Sequence, residues 1–177
     1  MVRRSFFECE RGVKMFQQGQ QIIYGGNGVC RIREIVLRET ALSDEPVQVY
    51  VIQLASGLTS YVPVASTVFM RELISPAEAE AVIAEFPTLK PKCIASTNSK
   101  ALADNYRAII ARHDPREMLC LYCSLQQKIE TARNSGKKPG SMDERFSATV
   151  LAEICGEFSA VLQITSAEVL ARLGISG

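Results

Sequence analysis

Residues 47–54, VQVYVIQL, and residues 58–64, LTSYVPV, decide the fold of the first half of this chain. Both stretches are rich in β-branched and aromatic residues, and the turn-forming pair Ser56 and Gly57 separates them. This pattern predicts two strands joined by a tight turn. Pro63 cannot donate a hydrogen bond to a neighbouring strand, so we expect it at the edge of a sheet or in a bulge.

Three further β-prone stretches surround this pair, at residues 20–24, 29–35 and 67–70. Residues 29–35 alternate apolar and charged side chains, which is typical of a strand with one buried face. A glycine-rich turn at 25–28 joins the first two stretches, and SDEP at 43–46 interrupts the chain. Five short strands with tight turns predict a small, strongly bent sheet or barrel of the SH3 or Tudor kind.

The pattern changes to helices after residue 70. Five helices are predicted, and one of them covers residues 101–112 and begins near Asn98 or Ser99. Capping boxes mark the starts of the other four helices. These boxes are SPAE at 75–78, DPRE at 114–117, SMDE at 141–144 and TSAE at 165–168. The predicted fold class is therefore α+β, with an N-terminal five-stranded Tudor/SH3-like sheet or barrel and a compact C-terminal helical domain.

Composition limits the classes of protein. Hydrophobic residues make up 47% and charged residues 22%, as in globular proteins. No apolar stretch approaches the ~20 residues of a membrane span, and residues 1–14 lack the apolar run of a secretory signal. Six cysteines without an export signal suggest reduced thiols and a cytoplasmic location. The net charge of +1 gives no simple electrostatic case for nucleic-acid binding.

Few residues are suited to catalysis. His113 is the single histidine, and no serine or cysteine motif accompanies it. Cys120 and Cys123 have CxxC spacing but lie within a predicted helix and lack further zinc ligands, so we interpret them as small apolar residues. We predict no catalytic residue, metal site or cofactor, and hence no enzyme. A thiol or metal enzyme is the alternative, which thiol titration with and without zinc would test.

Binding is better supported. Lys137 and Lys138 precede Pro139 and Gly140 in a predicted loop before a helix start. Cations near a helix N-terminus are suited to phosphate contact, although two lysines in a loop are also typical of a solvated turn. In the sheet, an open edge strand offers a surface to which a partner can add a strand.

Residues 15–24, MFQQGQQIIY, followed by Gly28 and Val29, resemble the opening of the CarD family of bacterial transcription regulators. Residues 50–64 are similar to the next two strands of that family, with the Val-Pro ending in place, and residues 136–166 are similar to its helical half in spacing and type. The resemblance covers residues 15–173. The same β module occurs in the transcription–repair coupling factor.

The resemblance implies a Tudor-like domain at residues 15–72 that binds the RNA polymerase β subunit. It further implies a connecting helix and hinge at 73–100, and a helical domain at 101–177 that contacts promoter DNA at the upstream edge of the bubble and stabilises the open complex. We predict no membrane partner and no small-molecule substrate. Residues 1–14 are interpreted as an extension, either a flexible basic arm or a segment upstream of an initiator at Met15.

Carried over residue by residue, Arg38 falls on a family arginine at the polymerase contact. Tyr61 replaces a second such arginine just before Val62 and Pro63. The resemblance therefore predicts a polymerase-binding set of Arg38, Tyr61, Val62 and Pro63.

In the helical half, Arg107 and Arg145 fall on family cations that contact DNA, and Lys137 and Lys138 are expected on phosphates. Leu102 stands where the family has a tryptophan wedge in the minor groove, and Asp104 replaces a neighbouring arginine. The alternative is a protein–protein adaptor whose helical domain binds no DNA. The two hypotheses differ in salt dependence, because phosphate contacts weaken steeply as salt rises.

Overall fold

The structure is a computed structural model that describes residues 15–40, 43–91 and 98–175. Residues 1–14, interpreted above as an extension, and most of the expected hinge lie outside the described residues. The strands are β1 (Gln21–Tyr24), β2 (Val29–Thr40), β3 (Ser43–Gln53), β4 (Thr59–Pro63) and β5 (Met70–Glu72). The helices are α1 (Pro76–Glu85), α2 (Ser99–Ile110), α3 (Pro115–Asn134), α4 (Ser141–Leu162) and α5 (Ser166–Leu173).

The five strands form one open antiparallel sheet in the order β4-β3-β2-β1-β5. The predicted fold class, a five-stranded sheet followed by a helical domain, is confirmed. A short 3₁₀ turn, Gly25–Asn27, joins β1 to β2. Gly25 and Gly28 have φ angles of 45° and 65°, which favour glycine, so the glycine-rich turn follows from backbone conformation.

The predicted break at residues 43–46 is wrong, because β3 already begins at Ser43. Thr40 pairs with Ser43 and Arg38 with Val47, so β3 has two more residues than β2 between these pairs. Pro46 lies in the resulting bulge, where a missing N–H costs no regular ladder hydrogen bond.

The fifth strand was expected at residues 67–70 but lies at Met70–Glu72. Val68 N–H donates to Ser66 Oγ at 3.2 Å, so this part of the predicted strand is a turn after β4. β5 pairs with β1, with Tyr24 opposite Met70 and Ile22 opposite Glu72. Because β1 and β5 are far apart in the sequence, no local sequence signal marks where β5 begins.

The chain divides into two compact units. The sheet unit contains the described residues of Met1–Gln21 together with Cys30–Val68. The helical unit contains Ile22–Val29 together with the described residues of Phe69–Gly177, so it includes most of β1 and all of β5.

Each unit has its own buried residues. In the sheet unit, Phe16 N–H donates to Tyr50 Oη at 3.1 Å, and the two rings meet edge to face at 6.0 Å. Val49 to Ile52 of β3 are all buried, which explains why this stretch reads as a nearly continuous apolar run. The core of the helical unit is built from all five helices, with Val82, Tyr106, Leu121, Ile154 and Val169 among its most buried members.

Two of the predicted capping boxes are confirmed. At the start of α1, Glu78 N–H donates to Ser75 Oγ and Glu78 accepts from Ser75 N–H; Thr165 and Glu168 do the same at α5. The backbone N–H of Ser75, at 2.8 Å, holds the pKa of Glu78 below its usual value. At α3, Asp114 accepts from Glu117 N–H at 3.0 Å, as a cap without the reciprocal bond.

The capping box predicted at residues 141–144 is wrong, because the N-cap of α4 is Gly140 and Ser141 is the first helical residue. The carboxylate of Asp143 folds over Gly140, so that a Cβ there would lie 3.3 Å from Asp143 Oδ2. Tyr106 Oη donates to the other oxygen, Asp143 Oδ1, at 3.2 Å. Asp143 thus sits at the third helical position, where a carboxylate is favourable to the helix dipole.

None of the described helices is by itself long and apolar enough to cross a membrane. The pair α4 and α5 meets the length and composition criteria only when taken together, and it bends by 106° at the break.

Candidate functional site

The sheet unit brings Arg38 and Tyr61 into direct contact. The guanidinium carbon of Arg38, near the end of β2, lies 4.0 Å from the centre of the Tyr61 ring on β4. Both side chains are exposed, Tyr61 to 50%. A cation at this distance from an aromatic ring is attracted to its face, so each residue orients the other. Two of the four predicted polymerase-binding residues therefore form one surface feature.

The register explains how this pair is positioned. Val36 pairs with Val49, and Val49 pairs with Pro63, so these residues share one face of β2, β3 and β4. Because side chains alternate along a strand, Arg38 and Tyr61 lie on that same face. Arg38, Tyr61 and Pro63 are defined here as the Arg38 face.

Val62 and Pro63 are placed differently. Val62 is 4% exposed and belongs to the core of the sheet unit, whereas Pro63 is exposed. Val64 N–H donates to Gln48 C=O at 2.9 Å, which places the backbone groups of Tyr61 and Pro63 on the outer side of β4. The backbone nitrogen of Pro63 faces away from β3, so its missing N–H removes no hydrogen bond from the ladder. This agrees with the expected position of Pro63 at the edge of the sheet.

Sequence reasoning missed an exposed apolar side chain on the opposite face of β2. Leu37 is 67% exposed, although the alternating pattern of β2 would bury it with Ile35. Leu37 pairs with Gln48 and Ile35 pairs with Tyr50, so Leu37 lies on the same face as Ile35, toward the end of the strand. The ladder between β2 and β3 shifts after Ile32, where Arg33 is an extra residue, and this bulge keeps Ile32 and Ile35 on one face. Two charged residues in succession, Arg33 and Glu34, interrupt the alternation between Ile32 and Ile35, and this is where the bulge lies.

The helical unit brings two of the predicted DNA-contacting cations to one ring. The guanidinium carbons of Arg107 on α2 and Arg145 on α4 lie 6.0 Å and 5.7 Å from the centre of the Phe146 ring. Phe146 is 7% exposed and packs edge to face on Tyr106 at 5.2 Å. Arg107 also pairs with Asp104 at 2.7 Å, the residue that replaces a family arginine.

Sequence reasoning also missed a series of hydrogen-bonded polar side chains near Phe146. Lys128 Nζ donates to Tyr106 Oη at 2.7 Å, and Tyr106 in turn donates to Asp143. Burial raises the pKa of Tyr106 above its usual value, so its hydroxyl keeps the proton that this series requires. The series ties α2 and α3 to the first turn of α4 and so fixes the ring on which the two arginines rest.

Lys137 and Lys138 lie exposed in the loop between α3 and α4. Gly136 has a φ of 68°, and Lys137 N–H donates to Ala132 C=O at 2.9 Å, which closes the end of α3. The loop then leads into Gly140, the N-cap of α4. Leu102, the residue at the wedge position, is half-buried and packs against the helical core.

A buried ion pair in the helical unit was also missed. Glu157 on α4 is 4% exposed and accepts from Arg71 Nη1 and Nη2 at 2.6 and 2.8 Å. Glu157 also accepts from Ile74 N–H at 3.1 Å, and Arg71 donates to the backbone oxygen of His113 at 2.7 Å. These bonds fasten β5 to α4 and to the turn before α3.

His113 is held in this region for structural reasons. It is 5% exposed, has a φ of 50°, and stacks on Phe69 with ring centres 5.0 Å apart. Its Nδ1 lies 3.3 Å from Glu153 Oε2, but the two atoms are not aligned for a hydrogen bond.

Three of the described thiols, those of Cys30, Cys123 and Cys155, have a raised pKa because they are buried. Burial, with a contribution from Cys120, raises the pKa of Cys123 above its usual value, and burial does the same for Cys155. A raised pKa leaves a thiol protonated and a poor nucleophile. Over the parts of the chain that the structure describes, no group of three or more histidine, cysteine or acidic side chains could hold a metal ion.

The sheet unit thus carries an exposed Arg–Tyr pair, and the helical unit presents exposed cations. Residues 16–74 match the CarD-like/TRCF RID domain family, RID being the RNA polymerase-interacting domain. The match covers about one third of the chain and confirms the predicted resemblance over those residues. The chain thus carries a CarD-like RNA polymerase-interacting domain. No curated protein matches the chain.

Both regulators and enzymes carry this domain. CarD proteins with this domain are typically non-catalytic, whereas the transcription–repair coupling factors that share it are enzymes. The match implies that the chain interacts with RNA polymerase. It therefore indicates an RNA polymerase-binding transcription factor.

Proposed function

We propose that the protein is a transcription regulator that binds the RNA polymerase β subunit through the Arg38 face and contacts promoter DNA through its helical unit. It acts by binding and not by catalysis, and it works in the cytoplasm beside the polymerase. The observation that carries the proposal is the match of residues 16–74 to a polymerase-interacting domain. The division into polymerase-interacting residues 15–72, a connecting segment at 73–100 and DNA-contacting residues 101–177 is part of the proposal.

The Arg38 face has the chemistry of a protein contact. Arginine and tyrosine are enriched among the residues that dominate binding energy at protein interfaces. The stacked guanidinium keeps its hydrogen-bond donors available to a partner carboxylate, because a ring face uses none of them. Val62 would contribute only indirectly, by anchoring β4, since its side chain is buried and its backbone groups face β3.

The helical unit supports DNA contact through its cations. Arg107 and Arg145 are oriented by Phe146, and the exposed Lys137 and Lys138 precede the N-terminus of α4. Contacts to phosphates fix position without reading sequence. From the resemblance to the CarD family we further propose that binding takes place near the upstream edge of the bubble, where it adjusts open-complex stability. Leu102 is half-buried in the helical core, and we therefore expect the cations to contribute more than this residue at the wedge position.

The direct test of this function is the lifetime of promoter open complexes. RNA polymerase is allowed to form open complexes on a promoter fragment, and their decay after a heparin challenge is followed with and without the native protein. The proposal expects the lifetime to change when the protein is present at saturating concentration. An unchanged lifetime would contradict a role in open-complex stability.

DNA binding by the full chain is expected to depend on salt through the named cations. Each phosphate contact contributes about −0.9 to the slope of log K against log salt concentration. The double variant Lys137→Ala, Lys138→Ala should therefore make the slope shallower by about 2, and Arg145→Ala by about 1. Fluorescence anisotropy with a labelled duplex at several salt concentrations measures the slope.

Arg172→Ala is the matched control, because Arg172 pairs with Glu80 at 2.6 Å within the helical unit. Its slope should equal that of the native protein. If the native protein shows no salt-dependent DNA binding, the helical unit does not contact phosphates, and the adaptor function without DNA binding replaces this half of the proposal.

A further inference from the structure

An apolar pocket of about 290 Å³ opens in the helical unit. The segment after β1, the residue before β5 and the facing sides of α2 and α4 surround it. The lining residues that matter here are Phe69, Arg107, Ile110, His113, Phe146 and Thr149. None of them is needed for the polymerase contact proposed above.

The walls of the pocket are suited to a flat apolar group. Phe69 is 40% exposed and stacks on His113 with an angle of 23° between the ring planes, so one wall is a pair of nearly parallel rings. Phe146 adds a further aromatic side chain to the lining. An apolar cavity of ~150 Å³ is known to hold benzene, so about twice that volume accommodates a bicyclic ring system.

The charges beside the pocket are suited to an anion. Arg107 lines the pocket, and its pairing with Asp104 is a weak one because both side chains are more than half exposed. Arg145 lies beside the lining residue Phe146, and within the described ranges no carboxylate pairs with it. An occupant with an apolar body and one carboxylate would satisfy both the walls and the cations.

We propose that this pocket binds a small aromatic carboxylate, with its ring system against Phe69 and Phe146 and its carboxylate toward Arg107 and Arg145. The binding itself is independent of the proposed function. A consequence that rests on that function is competition, since the same two arginines are proposed to contact DNA. The ligand would then weaken DNA binding and act as a regulator of the protein.

The probe for the test is 2-naphthoate, titrated into the full chain and followed by calorimetry and by protein NMR. We expect binding with a Kd below about 1 mM, and about tenfold weaker binding of the uncharged analogue 2-naphthalenemethanol. Arg107→Gln should weaken 2-naphthoate about tenfold and leave the uncharged analogue unchanged, because the variant removes charge and keeps the pocket walls.

A matched pair of threonine variants locates the site. Thr149 lines the pocket and Thr131 does not, yet both are exposed on helices and donate their hydroxyls to the backbone oxygen four residues earlier, at 3.0 and 2.7 Å. Thr149→Phe fills the pocket and should weaken 2-naphthoate at least about tenfold, whereas Thr131→Phe should bind like the native protein.

Four results would overturn the proposal, and the first three concern 2-naphthoate. They are no binding of 2-naphthoate by the native protein, equal binding by Thr149→Phe, and equal affinity for 2-naphthoate and its uncharged analogue. Tighter binding of thymidine monophosphate than of 2-naphthoate would also overturn it, in favour of a nucleotide site. Loss of binding in Thr149→Phe and Arg107→Gln, with Thr131→Phe unaffected, would support it whether or not the protein contacts DNA.

Discussion

Arg38→Glu is expected to weaken binding to the polymerase β subunit by at least about thirtyfold. The substitution reverses one charge of the Arg38 face and also removes the cation from the Tyr61 ring, 4.0 Å away. A carboxylate there is repelled by the electron-rich ring face, so Tyr61 loses its orientation as well. Interface arginines that dominate binding contribute about 2 kcal/mol or more, which corresponds to about thirtyfold in Kd. Surface plasmon resonance with an isolated β-subunit lobe measures the change.

Arg31→Glu is the control for this result. Arg31 is exposed on the same strand, and seven residues of extended chain separate it from Arg38 by roughly 23 Å. It makes the same change in net charge, so a general electrostatic effect would appear in both variants. Binding that both variants weaken equally, or that Arg38→Glu leaves unchanged, would rule out the Arg38 face. Because Arg38 is exposed, its substitution should alter unfolding free energy by only about 0.5 kcal/mol.

Glu157→Gln is expected to lower the free energy of unfolding by about 3 to 5 kcal/mol. The carboxylate of Glu157 accepts three hydrogen bonds, two of them from Arg71, in a site that is 4% exposed. The amide keeps the volume but turns an NH₂ group toward the guanidinium and leaves the charge of Arg71 without its partner. Urea unfolding followed by circular dichroism should show a lower midpoint with an unchanged m-value.

Glu144→Gln is the matched control, because Glu144 is exposed on the same helix and lies 3.8 Å from Arg133. An exposed pair of this kind contributes about 0 to 1 kcal/mol, so the midpoint should hardly move. The double variant Arg71→Met, Glu157→Leu removes both charges together and should recover most of the stability. A loss below about 1 kcal/mol in Glu157→Gln would show that the ion pair does not hold β5 on the helices.

Much of the architecture follows from local sequence. The helix starts at Ser75, Asp114 and Thr165 are set by side chains that bond to the backbone within three residues, and such signals are complete in the sequence. The predictions are wrong where contacts with residues distant in the sequence determine the local structure. Pro46 is tolerated because a bulge opposite β2 accommodates it, and β5 lies where β1 pairs with it.

The candidate site follows the same rule. The resemblance to the CarD family indicated Arg38 and Tyr61 as separate positions, and only the register of three strands shows that they stack. The side chains of Arg71 and Glu157 meet although 86 residues separate them in sequence. No periodicity or spacing marks such a pair, because burial and charge compensation are properties of the folded chain.

The most direct test of polymerase binding is photo-crosslinking from the Arg38 face. Thr59 is exposed on β4 two residues before Tyr61, so Thr59→p-benzoylphenylalanine places the crosslinker beside the proposed contact without removing a member of it. The same substitution at Thr131 in the helical unit is the control. Irradiation with core RNA polymerase, followed by mass spectrometry, should give crosslinks from position 59 to the β subunit. Crosslinks from position 59 only to other subunits, or none at all, would contradict the account.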